Sequence, residues 1–130
     1  RPSETGRGKG AGYTLNVDLA AGSGDDAPLA ALRGSLKPAM EKFRPEFVLV
    51  SAGFDGHADD PLGGLRYSMD GYAELAKELV GIAKRHAAGR IVFMLEGGYG
   101  LEGVAGSVAG ILTVLTGAPR PDSLHSPSQK

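Results

Sequence analysis

Two short stretches hold the residues whose types and spacing could do chemistry. The first runs from Ser51 to Asp60, SAGFDGHADD, directly after the apolar run Phe47-Val48-Leu49-Val50. Its Asp55 is a hard oxygen ligand or an acid/base group. Asp55-Gly56-His57 could present a carboxylate and an imidazole to one metal, with Asp59 and Asp60 as further anionic candidates. The second is Glu96-Gly97-Gly98-Tyr99-Gly100, directly after Ile91-Val92-Phe93-Met94-Leu95. Gly97 and Gly98 let the backbone approach a ligand closely, and the Tyr99 hydroxyl can donate to an oxygen that gains negative charge. Plainer roles compete at each position. An aspartate in such a loop commonly caps a turn or a helix, and a lone histidine in a polar loop is commonly solvated. Asp60-Pro61 with Gly63-Gly64 spells a turn, and Tyr99 could pack at a helix start with its hydroxyl in water. Gly98-x-Gly100-x-x-Gly103 also matches the dinucleotide fingerprint formally. That reading needs a following strand, none is patterned after Gly117, and Tyr99 is bulky where the backbone should hug a pyrophosphate.

The elements that must position these loops follow from periodicity. Phe47–Val50 and Ile91–Leu95 read as strands buried on both faces, because they are continuous apolar runs rich in β-branched residues. Tyr13, Leu15, Val17 and Leu19 alternate with polar residues, which predicts a half-covered strand over 13–19. Asp25 or Asp26 is expected to cap a helix with Pro28 in its first turn and a stripe of Leu29, Leu32, Leu36, Met40 and Phe43. Pro38 should kink or restart it, and Arg44-Pro45 should end it. Ser68 or Asp70 caps a second helix with the stripe Tyr72, Leu75, Ala76, Leu79, Ile82 and Ala83, closed by Lys84, Arg85, His86 and Gly89. A third helix carries Leu101, Val104, Val108, Ile111, Leu112 and Leu115 and stops at Gly117, with Pro119 and Pro121 beyond. The order β-α-β-α-β-α implies an α/β fold, a three-layer α/β/α arrangement around a parallel sheet, with both polar loops facing one crevice at the strands' carboxyl ends. Three strands leave exposed edges, so a further sheet partner is expected from a longer parent chain or from another copy of this one. Residues 1–11 are expected to form a loop or flexible start, and 118–130 a disordered tail.

Bulk composition narrows the function classes. With 130 residues the chain is one domain or less. Its 14 basic and 15 acidic residues are dispersed and give a net charge of −1, so no positive field exists to grip nucleic acid. Cysteine is absent, which excludes disulfides and thiolate zinc clusters and leaves the redox compartment open, with the cytoplasm as the default expectation. No apolar run reaches the roughly 18 residues of a membrane span, so no membrane partner is expected.

Read together, the stretches are far more specific than either alone. PEFVLVSAGFD (Pro45 to Asp55), DDPLGG (Asp59 to Gly64) and MLEGGY (Met94 to Tyr99) resemble the carboxyl-terminal part of the histone deacetylase family. The likeness is closest to its class II-like and bacterial members, which include acetylpolyamine and acetoin-utilisation deacetylase-like proteins. GKGAGYTLNVDL (Gly8 to Leu19) and LKPAMEKFRPE (Leu36 to Glu46) are similar to the family too, so the resemblance spans about residues 6 to 117. It implies an arginase/deacetylase-like fold, with residues 12–117 as the carboxyl-terminal part of a catalytic domain. It also implies a zinc-dependent hydrolysis of N-acetyl amides, on acetyl-lysine or acetylpolyamine. By the same resemblance Asp55 is a zinc ligand and Tyr99 the catalytic tyrosine that donates to the carbonyl oxygen. Leu62 walls the acyl-lysine channel, Gly97 and Gly98 flank the tyrosine, and the Tyr13 carbonyl helps bind a monovalent cation away from the zinc. His57 matches no zinc ligand. The family's other two ligands, an Asp-x-His pair, and its tandem proton-handling histidines have no counterpart here, where His57, His86 and His125 are the histidines. The expectation is a carboxyl-terminal fragment, inactive and weak in zinc by itself. The alternatives are a non-catalytic folded unit that forms a homo-oligomer through its sheet edge, and a nucleotide-binding module.

Overall fold

In the computed structural model, which describes residues 1–119, the elements follow one another in a simple order. After a single 3₁₀ turn at Gly8–Gly10 come α1 (Asp26–Ala31), a π-helical turn (Leu32–Leu36), α2 (Lys37–Phe43), β1 (Val48–Ala52), α3 (Met69–His86), β2 (Ile91–Leu95) and α4 (Leu101–Thr116). β1 and β2 pair in parallel, Val48 opposite Ile91 through to Ala52 opposite Leu95. A parallel pair requires a crossover, and α3 provides it. The α/β expectation therefore holds.

Pro38 acts one step earlier than a simple kink. Its ring cannot donate a hydrogen bond and crowds the carbonyl four residues back. The turn ahead of it, Leu32–Leu36, opens into π geometry, and the rod continues as α2. Arg44 then turns left-handed at φ 53°, with its N–H on the Met40 carbonyl at 2.8 Å, and the chain leaves the helix before Pro45. Ion pairs hold this rod to α3: Arg33 and Lys37 both reach Glu78, at 2.7 and 2.8 Å, and Arg85 reaches Glu41 at 2.6 Å.

The structure departs from the sequence expectations at several points. No strand forms over 13–19; among the described residues no other strand lies alongside this segment, and a strand exists only through its neighbour. Among the described residues the sheet accordingly has two strands. Neither strand is buried on both faces. Val48, Val50 and Ala52 are partly covered, whereas Leu49 is 66% exposed and Val92 and Met94 lie open beside it. Finally, Asp25 does not cap α1. It stands at the N-cap position, but its carboxylate accepts from the Ser68 N–H at 2.8 Å and the Ser68 hydroxyl at 2.6 Å, while Ser68 caps α3 through the Gly71 N–H.

The core lies on the covered face, where Phe54, Tyr67, Tyr72, Ala76 and Ile111 meet Ala52 and Phe93. α4, packed on α3, buries not its leucines but Gly103, Gly106, Ser107 and Gly110, with Ile111 beside them. Small residues let the helices approach closely, and Met69 fills the notch at Gly106. Leu101, Leu112 and Leu115, assigned to the buried stripe from spacing alone, are exposed. Gly117, at φ 73°, ends α4 with its N–H on the Thr113 carbonyl. The expected tail falls mostly on residues 120–130, outside those described.

Candidate active site

Because β1 and β2 run parallel, the loops that leave them emerge at one end of the sheet. They are bonded to each other there. The Glu96 N–H donates to the Ala52 carbonyl at 3.0 Å and the Phe54 N–H to the Gly97 carbonyl at 2.7 Å, so the pairing continues past the strands. Side chains interlock over this seam. A Cβ at Gly97 would stand 2.6 Å from Asp55 Oδ2, and one at Gly53 would stand 3.1 Å from Oδ1, so the exposed Asp55 carboxylate rests between two glycines. Gly98, at φ 133°, fits against Phe54 and Val104, where a Cβ would come within 2.9 and 2.7 Å. Both features require glycine.

Asp60 ties the same loops from beneath. Its Oδ1 accepts from the Leu62 and Gly63 amides, each at 2.9 Å, and its Oδ2 from the amides of Tyr99 at 2.8 Å and Gly100 at 3.3 Å. Burial pushes this carboxyl up, but the four amides outweigh it and hold the group below the ordinary carboxylate range. The negative charge also faces the amino end of α4, where the helix dipole favours it. Gly63, held by Asp60, passes so close under Asp55 that a Cβ would fall on the Asp55 carbonyl oxygen.

Below the seam, the Tyr72 ring packs on Phe54 and Tyr67 with centroids 5.1 and 5.7 Å away. Its hydroxyl is buried under Gly56, and burial, reinforced by the Asp55 carboxylate, pushes the phenol up.

The structure thus brings the backbones of Asp55, Leu62, Gly97, Gly98 and Tyr99 together at one end of the sheet, with the Leu62 and Tyr99 side chains largely open at 73% and 58% exposure. Tyr13 is elsewhere, its ring edge-on to Phe43 of α2 at 6.0 Å. His57 does not join Asp55. It is 6% exposed, its Nδ1 accepts from the Asp59 N–H at 3.2 Å, and its ring fills the notch at Gly103 of α4. The dinucleotide fingerprint is used internally: Gly98 meets Phe54, Gly100 meets Asp59, Gly103 meets His57, and Asp60 already takes the amides a phosphate would need. Asp60 is the residue the sequence understates. The turn signal in Asp60-Pro61 accounts for one carboxylate oxygen, and nothing local points the other at a loop 39 residues away.

Among the described residues no group of three His, Cys, Asp or Glu side chains could hold a metal. No helix among them is long and apolar enough to cross a membrane.

A histone deacetylase domain pattern matches residues 1–115. Histone deacetylase 14, chloroplastic, of Arabidopsis thaliana is 44% identical over 124 residues, which is 95% of this chain and 29% of that protein. A probable deacetylase of Archaeoglobus fulgidus is 42% identical over 102 residues, 78% of this chain and 28% of that one. The crystal structure of the HDA15 HD domain superposes with a TM-score of 0.84 at 32% identity, covering 94% of this chain and 34% of that chain. The chain therefore spans under a third of the length of these curated relatives. Sequence along nearly its whole length and fold both agree: the chain belongs to the histone deacetylase domain family.

Proposed function

We propose that this chain is the part of a zinc-dependent deacetylase that supplies one metal ligand and the oxyanion donor for hydrolysis of an N-acetyl amide, on acetyl-lysine or an acetylated polyamine. One juxtaposition supports the reading: the Asp55 carboxylate rests on Gly97, two residues before Tyr99, at the carboxyl end of a parallel pair of strands. Asp55 suits a hard cation, being anionic, exposed and approached by backbone without side chains. Tyr99 can donate its phenolic proton in a hydrogen bond to the amide carbonyl oxygen as that oxygen gains charge. Leu62 offers an apolar wall to the aliphatic stem that carries the acetyl group. A catalytic zinc takes three protein ligands, and the described residues fit one of those positions, not the whole site. The remaining ligands and the general base belong, in this reading, to polypeptide outside the described residues.

The test is acetate release from an acetyl-lysine reporter and from an acetylated polyamine. Residues 1–130 alone should release none. The same residues joined to the upstream part of a deacetylase domain should be active, with kcat lowered ~10²–10³-fold by Tyr99→Phe. Activity of the chain alone, or an unchanged kcat in Tyr99→Phe, contradicts the reading.

The open sheet face of Leu49, Val92 and Met94 favours a second reading, in which the chain associates with another copy through this surface and does no chemistry. A monomeric mass in sedimentation at high concentration would remove it.

A further inference from the structure

We infer that Asp60 is a positioning residue for the reaction: one buried carboxylate sets the oxyanion donor Tyr99, the channel wall Leu62 and the backbone of the ligand Asp55 in a fixed relation to one another. The inference rests on the proposed deacetylase role for what those three residues do, and on geometry for how they are joined. Asp60 is 9% exposed, and each of its oxygens serves a different loop. Oδ1 fixes Leu62 and Gly63, and Gly63 is wedged beneath the Asp55 carbonyl. Oδ2 fixes Tyr99 and Gly100 at the point where the second loop becomes α4.

A turn-forming aspartate would need only the first pair of bonds. A helix-capping aspartate would need only the second. Making both with one rigid, planar group fixes the distance between the two loops, and a bridging carboxylate has no freedom to let one side move without the other. Four charge-assisted bonds also explain why Tyr99 can stay 58% exposed at the rim yet have a defined backbone. The side chain is left free to meet substrate, and its anchor is underneath.

An amide in place of the carboxylate keeps one acceptor and turns a donor toward the other pair, so it cannot bridge. In the chain of residues 1–130, amide exchange followed by NMR should therefore show at least one of the two pairs, Leu62 with Gly63 or Tyr99 with Gly100, exchanging about tenfold or more faster in Asp60→Asn. Asp60→Glu, which keeps the carboxylate, should restore part of the protection. Should Asp60→Asn not fold, the wild-type chain decides the question by itself. The two pairs should lose protection together, with one midpoint, as acid protonates Asp60 below the ~3.9 of an unfolded aspartate. Separate midpoints, or all four amides unmoved in Asp60→Asn, would overturn the bridge.

In the completed deacetylase polypeptide, Asp60→Asn should lower kcat per bound zinc by ~10²-fold, because a displacement of about an ångström costs that much. An unchanged kcat per bound zinc, or a change confined to KM, would overturn the positioning role. A wild-type polypeptide that releases no acetate would defeat the deacetylase reading instead, while the exchange data still decide the bridge.

Discussion

At Gly97 the missing side chain matters more than any that is present. A methyl group there would stand 2.6 Å from Asp55 Oδ2, closer than a carbon and a carboxylate oxygen approach each other, so Gly97→Ala must drive the carboxylate from its seat. We expect the fold to survive, since Asp55 is exposed and can swing away, and metal affinity of the completed domain to fall by ~10–100-fold. A zinc titration against a chromogenic chelator measures it. An unchanged affinity would mean that Asp55 is not held as a ligand by this glycine. Much at this scale is legible in the sequence. Asp55 and Tyr99 stand where apolar runs break into glycine, and such breaks mark strand ends that face a crevice. Asp60 and His57 are not, for opposite reasons. Asp60 resembles every turn-forming aspartate, and its second bond spans 39 residues. His57 sits among acidic and small residues that suggest solvent, yet its ring is drawn inward by a notch at Gly103 that only the folded α4 creates.

Two glycines on neighbouring helices should respond oppositely to the same change. Gly81 lies on the exposed side of α3, and no atom comes within 4 Å of the place its methyl group would take, so Gly81→Ala gains helix propensity at no steric cost. We expect it to stabilise the chain by about 0.5–1 kcal/mol. Gly106 of α4 gains the same propensity, but its new methyl would lie 2.2 Å from Met69 Sδ. Overpacking costs ~1–3 kcal/mol and outweighs the gain, so Gly106→Ala should destabilise. Urea unfolding of both variants tests the pair, and a stabilised Gly106→Ala would show that α3 and α4 are not closely apposed. The helices and the two paired strands are legible from periodicity because each carries its own pattern. The buried face of α4 is not, since spacing identifies a stripe of leucines but does not say that a close helix contact will choose the glycines beside it. The strand expected over 13–19 fails for a related reason: alternation describes a segment that can pair, and pairing depends on a neighbour.

Taken as a whole, the described residues cover one face of a two-stranded sheet and leave the other bare. Leu49, Val92 and Met94 form part of that bare face, and Leu112 and Leu115 of α4 are also exposed. Such apolar surface drives association in water. We expect residues 1–130 to bind a hydrophobic dye and to self-associate at micromolar concentration, and the double substitution Leu49→Lys with Val92→Lys to weaken both while leaving the far-ultraviolet spectrum unchanged. Persistence of the association in that variant would place the contact elsewhere. The fold class is legible at this scale because the alternation of strand and helix patterns dictates it, whereas the number of strands and the bareness of one face depend on which segments find partners.

The most direct measurement is the zinc content of residues 1–130 joined to the upstream part of a deacetylase domain, compared between the wild-type sequence and Asp55→Ala. Asp55→Ala should lose its zinc and its acetate release together while Tyr99→Phe keeps the metal. Full zinc content in a folded Asp55→Ala protein would contradict the assignment on which the rest depends.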